Sequence, residues 1–306
     1  MTKRSADEPT NARTFRVAAP AKLNLGLEVV GRRPDGFHDL VTIFQSIDVV
    51  DDVRLRRSPV PGIRCGLPGL DDDQNLAVRA LAAIRPDSER DGADLAVTKR
   101  IPAAAGLGGA SSDAAAALRL GTALWSLPLD GAALARVALG LGSDVPFLLR
   151  CGTALAEGRG EILTSLPPLR DVWFVVVAPR VALPRKTATL FAMLTAGDFS
   201  DGRRVRDHAE RLAATGKIDP DALGNAFSRP LAALRSDLAA WPERLRALGA
   251  PNVALSGAGP ALYAVFADPA EPARLATRLA NECGDVADVF VAHPVTCPPQ
   301  VRIAYL

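Results

Sequence analysis

The chain lacks the residue pairings that build metal centres and disulfide frameworks. Its four cysteines, Cys65, Cys151, Cys283 and Cys297, are widely scattered with no C-x-x-C pair, and its three histidines do not cluster. That spacing argues against a zinc site and against disulfide stapling, and for a reducing cytosol. A dominant charge is also missing. Lysine plus arginine number 36 against 34 acidic residues, a net charge of +2, so charge implies neither a nucleic acid nor a membrane as partner. No apolar run reaches the length of a membrane span. The start of the chain is polar, mixed in charge and without the apolar core of a signal, so residues 1–15 read as a disordered extension. A soluble cytoplasmic protein is expected.

What is present suits two packed domains: 306 residues, 48% of them hydrophobic. The most informative stretch runs from Arg100 to Gly121. Before it, Asp94 to Lys99 alternates polar and apolar side chains, the period of a strand; after it, Ala114 to Leu124 is rich in helix-forming Ala and Leu. Between them lie Gly106, Gly108 and Gly109, then Ser111, Ser112 and Asp113. Glycines let backbone N–H groups approach a ligand, and a helix start adds unpaired N–H groups and a positive dipole end. The two serines can cap that helix, or bind a phosphate oxygen or its metal. The stretch reads as a cradle for a nucleoside triphosphate. It is not a Walker A loop, because Ala110 and Ser111 follow Gly109 in place of Lys-Ser/Thr. Nor is it a dinucleotide fingerprint, because Ser111 stands where the third glycine belongs.

Upstream, Lys22 to Glu28 alternates strictly, placing Leu23, Leu25 and Leu27 on one strand face and Lys22, Asn24 and Gly26 on the other. Lys22 and Asn24 then lie about 6.6 Å apart over one small space. Arg33-Pro-Asp-Gly36 predicts a turn, followed by a strand over 40–50 and another over 53–57. Helices are expected over 75–84 and 130–139, and Gly140 to Phe147 turns the chain with Ser143 as a candidate cap. Pro167-Pro168 reads as the boundary between a domain over 16–168 and one over 169–306. Beyond it the order is strand (172–177), helices within 187–247, strands (252–255 and 261–266), helix (269–281) and strand (286–292). That alternation predicts an α+β half of split-βαβ, ferredoxin-like type.

Three segments in this order resemble the motifs of the GHMP small-molecule kinases: Pro20-Ala-Lys-Leu-Asn-Leu-Gly26, Pro102-x-x-x-Gly-Leu-Gly-Gly-Ala-Ser-Ser-Asp-Ala114, and Leu255-Ser-Gly-Ala-Gly-Pro260. The resemblance implies a two-domain α+β fold, with an N-terminal nucleotide-binding domain and a C-terminal substrate-side domain. It also implies transfer of the γ-phosphoryl group of ATP to an alcohol. P-D-G-F-H-D-L at 34–40 and G-S-D-V-P-F at 142–147 resemble the branch whose acceptor is a 2-hydroxyl on a methylerythritol joined to cytidine diphosphate, within the non-mevalonate route to isoprenoid precursors. By the resemblance, Lys22 supplies positive charge at the transferring phosphate, Asp144 accepts the hydroxyl proton, and Asn24 orients Asp144 or the acceptor. Pro102, Gly106, Leu107, Gly108, Gly109, Ala110, Ser111 and Ser112 hold the phosphates of ATP, and Asn75 and Lys99 line the adenine pocket. Phe37 and Phe191 face the two sides of the cytosine, with His38 and Thr187 as further substrate contacts. The backbone of Gly257 and Gly259 approaches the substrate phosphates. Phe37 replaces the family's usual tyrosine, and Ala258 stands where Ser or Thr is common. Magnesium is expected with ATP, and Ser112 is the one protein ligand nominated for it. Other readings remain open: a GHMP kinase acting on a mevalonate-like or homoserine-like alcohol, or a non-catalytic nucleotide-binding protein. The chain is expected to be a monomer or weak homodimer.

Overall fold

A computed structural model of the chain describes residues 13–60, 62–65, 74–88 and 92–305. Strands β1 (Arg13–Arg32), β2 (His38–Ser58), β3 (Ile63–Cys65), β4 (Gly92–Thr98), β5 (Thr153–Glu157) and β6 (Ile162–Leu166) belong to a first sheet. Helices α1 (Leu76–Ile84), α2 (Gly109–Leu124), α3 (Gly131–Leu141) and α4 (Val145–Arg150) accompany it. Strands β7 (Trp173–Pro179), β8 (Ala254–Leu255), β9 (Leu262–Phe266) and β10 (Ala287–Ala292) form a second sheet in the order β10-β7-β9-β8, all antiparallel. Helices α5 (Lys186–Ala192), α6 (Arg203–Thr215), α7 (Ser228–Leu234), α8 (Ser236–Ala239), α9 (Trp241–Ala247) and α10 (Ala270–Cys283) complete that half. The order is that of a split-βαβ unit, as the spacing of strands and helices predicts. Among the described residues no helix is long and apolar enough to cross a membrane.

The expected boundaries shift in three places. Residues 1–12 of the expected extension lie outside the described residues, but 13–15 already belong to β1, where Arg13 to Arg16 pair with a strand the sequence reading missed, β11 (Arg302–Tyr305). The end of the chain therefore returns to the first sheet. The strands expected over 40–50 and 53–57 are one continuous strand, β2. The Asp51-Asp52 pair looks like a break in sequence, yet Asp51 is fully buried. Its carboxylate accepts from the backbone N–H groups of Arg100 and Ile101 and from Lys99, so its charge is satisfied inside the fold.

β1 changes sides along its length, and that change positions the site. Phe15, Val17 and Ala19 pack with the helices of the first half, whereas Ala21, Leu23 and Leu25 pack with Phe174, Val176 and Tyr263 of the second sheet. The switch falls at the register irregularity between Pro20 and Ala21, where a proline has no ladder N–H to offer. Beyond it Lys22 and Asn24 face the side occupied by Phe44, whose ring lies 5.2 Å from the Lys22 ammonium. The hydroxyl of Ser112, near the start of α2, donates to the Pro20 carbonyl at 2.7 Å and ties the helix to this irregularity.

Leu23, Leu25 and Ile43 share one apolar cluster with residues of the second sheet, so the two halves have a common core. Leu23→Ala is expected to destabilise the protein by about 2–5 kcal/mol through lost burial and a residual cavity. Because the cluster is shared, urea unfolding should remain one transition in which both halves melt together; two separated transitions in the wild type would contradict the common core.

Candidate active site

Two glycine-rich turns lie back to back and frame the site. The loop 101–108 precedes α2, and the loop 256–261 joins β8 to β9. The Lys22 N–H donates to Leu107 O and the Ala261 N–H to Ala105 O, both at 2.9 Å, and the Ser256 hydroxyl donates to Gly106 O at 3.1 Å. Gly106 has φ of +87°, and a Cβ there would sit 2.2 Å from the Ser256 carbonyl oxygen. Only glycine allows backbone to approach backbone so closely. Gly108, at φ +73°, caps α2 without a side chain, so the helix starts at Gly109, two residues before Ser111. The first-turn N–H groups of a helix have no partner within it and favour an anion. Neither serine caps the helix. Ser112, the nominated metal ligand, is 1% exposed and its hydroxyl donates to Pro20 O. Among the described residues no group of three His, Cys, Asp or Glu side chains could hold a metal.

Lys22 and Asn24, paired by strand alternation, come together with Asp144, nominated by the resemblance. Lys22 Nζ donates to Asn24 Oδ1 at 2.6 Å and lies 3.6 Å from Asp144 Oδ2. The orientation of the Asn24 amide follows from its other partner. Thr42 donates its only hydroxyl proton to Gly26 O at 2.6 Å, so it must accept from Asn24 Nδ2 at 2.9 Å, and Oδ1 is left for the lysine. Asn24 thus orients Lys22, which itself lies beside Asp144. Burial pushes the Lys22 ammonium below its ordinary pKa, and the Asp144 carboxylate pulls it back up. Asp144, not Ser143, occupies the cap position of α4, yet its side chain makes no cap hydrogen bond. The carboxylate is free to face the lysine and the space in front of it.

That space is a cavity of about 630 Å³ lined by Lys22, Asn24, Thr42, Phe44, Gly106, Gly108, Asp144, Thr187, Phe191 and Gly257. A second cavity of about 560 Å³ shares Leu40, Ser143, Arg159, Ala188 and Phe191 with it and adds Phe37 and His38. The aromatic residues nominated as base contacts therefore meet around one opening. The His38 imidazole stacks on Phe191, ring centres 4.8 Å apart, and Phe37 is 52% exposed with the Arg159 guanidinium 4.7 Å from its ring centre. Burial and the Arg32 charge hold His38 below its ordinary pKa, so it is neutral near pH 7.

The two residues expected at the adenine lie away from these cavities. Asn75 is buried as the cap of α1, accepting from the Ala77 N–H at 2.9 Å. Lys99 bridges Asp51 at 2.5 Å and Asp113 at 2.6 Å. Burial raises Asp113 to about 7 against the pull of Lys99. Neither Asn75 nor Lys99 lines the two cavities, and both side chains are committed to protein partners. Three further residues of the site carry no motif of their own: Thr42, Arg159 and Lys186. Lys186 is nearly buried, with its Nζ donating to Ala104 O and Gly259 O. Only contacts between distant segments reveal them.

Comparisons with known proteins place the chain among a family of kinases. Residues 75–152 match the GHMP kinases N terminal domain, and residues 203–285 match the GHMP kinases C terminal domain. The 4-diphosphocytidyl-2-C-methyl-D-erythritol kinase of Gloeobacter violaceus is 37% identical over 280 residues, covering 89% of this chain and 92% of that protein. The enzyme of the same name from Moorella thermoacetica is 40% identical over 85% of this chain and 93% of its own length. A crystal structure of 4-(cytidine 5'-diphospho)-2C-methyl-D-erythritol kinase superposes with a TM-score of 0.73 at 34% identity, covering 90% of this chain and 98% of that one.

The contact between the glycine turns is testable by itself. Gly106→Ala places a methyl against the Ser256 carbonyl at a positive φ, and should lower stability by on the order of 1–3 kcal/mol. It should also weaken ATP binding. A variant with wild-type melting temperature and wild-type ATP-induced stabilisation would show that the turns do not need each other.

Proposed function

Because the chain belongs to the GHMP kinases, and among them to the 4-diphosphocytidyl-2-C-methyl-D-erythritol kinases, we propose that it transfers the γ-phosphoryl group of ATP to the 2-hydroxyl of 4-diphosphocytidyl-2-C-methyl-D-erythritol. The reaction is a step of the non-mevalonate route to isoprenoid precursors. One observation carries the assignment of roles: Lys22, Asn24 and Asp144 converge on a cavity that continues into the opening around Phe37, His38 and Phe191. The chemical end and the base-binding end are thereby joined by one continuous space.

Phosphoryl transfer requires alignment and charge neutralisation more than covalent help from the protein. The 2-hydroxyl oxygen attacks the γ-phosphorus while the bond from that phosphorus to the bridging oxygen of ADP breaks. The hydroxyl proton passes to the Asp144 carboxylate. Lys22, held by Asn24, neutralises charge on the transferring group. The loop 101–108 and the start of α2 receive the triphosphate of ATP. Magnesium would come with ATP and supply charge neutralisation of its phosphates; among the described residues no group of three His, Cys, Asp or Glu side chains forms a cage for it.

Asp144→Asn should keep both KM values within a few-fold and lower kcat by about 10²–10⁴. It should also move the alkaline limb of the pH profile. The carboxylate raises the pKa of Lys22, so its loss lets the ammonium deprotonate at lower pH and activity should fade earlier as pH rises. A variant with wild-type turnover and profile would return Asp144 to a structural role.

The base-binding end is tested at Phe37. Stacking on an aromatic is worth about 1–3 kcal/mol, so Phe37→Ala should raise the KM of the cytidylyl substrate about 5- to 150-fold. The KM for ATP should barely move, and Phe37→Tyr should be tolerated because the ring plane is kept. A rise in the ATP value alone would place Phe37 at the donor site.

A further inference from the structure

Lys186 has no part in the reaction as derived so far, and its surroundings ask for one. The side chain is 5% exposed at the start of α5, on the wall of the cavity that holds Lys22 and Asp144. Its Nζ donates to the carbonyl of Ala104 in the first glycine-rich loop at 2.5 Å and to the carbonyl of Gly259 in the second. An ammonium has three hydrogens, so one remains. Among the described residues no carboxylate offsets the charge. The one charge acting on it is Lys22, which together with burial brings Lys186 down to about 8. A buried ammonium with two carbonyl partners and no anion is unfavourable, and a second ammonium nearby makes it more so. A phosphate in the cavity would relieve both penalties at once.

We propose that Lys186 is a second phosphate-binding cation of this site, joining the two glycine-rich loops and acting with Lys22 on a phosphate group of the bound reactants. The proposal rests on the kinase reading above. A lysine suits the position, since it offers a compact charge with three donors where a planar guanidinium would need more width. The charged groups that also face the cavity are Lys22 on β1, Asp144 at the head of α4, Arg159 between β5 and β6, and Arg185 beside it in sequence. Of these only Asp144 is acidic, so the cavity is set for an anion.

The phosphate can come from ATP or from the diphosphate of the alcohol, and the experiment separates the two. Inorganic tripolyphosphate is titrated into the full chain by calorimetry just above the free-state value of about 8, in two buffers of different ionisation enthalpy. A nearby phosphate favours the charged amine and raises its pKa, so wild-type binding should take up protons. Lys186→Arg should reduce that uptake, because a guanidinium is always charged. Lys186→Met should weaken tripolyphosphate binding about 10- to 150-fold, the range for a hydrogen bond to a charged group. In steady-state assays of Lys186→Met, a rise in the KM of ATP assigns the phosphate to the donor and a rise in that of the alcohol assigns it to the acceptor.

Unchanged tripolyphosphate affinity and unchanged KM values in a Lys186→Met chain that melts like the wild type would overturn the proposal. Equal net proton exchange on tripolyphosphate binding by the wild type and by Lys186→Arg would overturn it even if the methionine variant does not fold, because the ligand's own ionisation and that of Lys22 are common to both. If the wild-type chain failed to phosphorylate the cytidylyl alcohol while tripolyphosphate binding still depended on Lys186, the substrate assignment would fall and the phosphate site would stand.

Discussion

The structure depends on keeping the Lys22 ammonium almost wholly buried on the wall of the cavity. Its side chain is 5% exposed, and removing a charge from water is tolerated only with partners in good geometry. Those partners come from separate parts of the chain. Asn24 accepts on the same strand, Thr42 on β2 fixes the amide that accepts, and Asp144 ahead of α4 provides the opposite charge. Behind them, the Tyr263 hydroxyl on the second sheet donates to Asn24 O at 2.7 Å. The site is assembled where the two halves share a core, so folding of each half supports the same few atoms.

The glycine-rich turns follow from this arrangement. A side chain on Gly108 would meet Lys22 Cγ at 3.0 Å, and one on Gly257 would meet Lys22 Nζ at 3.1 Å. The lysine is therefore flanked by backbone on two sides. Backbone N–H groups and a helix start can then approach the same phosphate as the ammonium. Fixed dipoles and a fixed charge arranged in advance need little reorganisation as the phosphoryl group moves.

The opening proposed for the acceptor obeys a different logic. Phe37, His38 and Phe191 lie on a surface opening, with Phe37 half exposed, and they offer flat faces more than hydrogen bonds. Flat faces suit a base, and the neutral imidazole of His38 can both stack and donate or accept. In the proposed reaction, recognition falls to aromatic rings at a surface opening, whereas the charge on the phosphate is met by the buried Lys22.

Local pattern in the sequence determined a good deal. Strict alternation put Lys22 and Asn24 on one face of β1, glycine and helix propensity marked the loop before α2, and the order of strands and helices marked the split-βαβ half. These are short-range consequences of the period of a strand and the conformational freedom of glycine. Tertiary structure decided the rest, because the deciding contacts join residues far apart in the chain. It made β2 continuous by burying Asp51 against the backbone after β4, and it returned β11 to the first sheet. It turned Ser112 inward onto Pro20, committed Lys99 to two carboxylates, and directed Asn24 toward Lys22. It also brought Lys186 from an unremarkable stretch of sequence to the cavity wall, since a side chain's partners are set by packing and burial, which no local periodicity records.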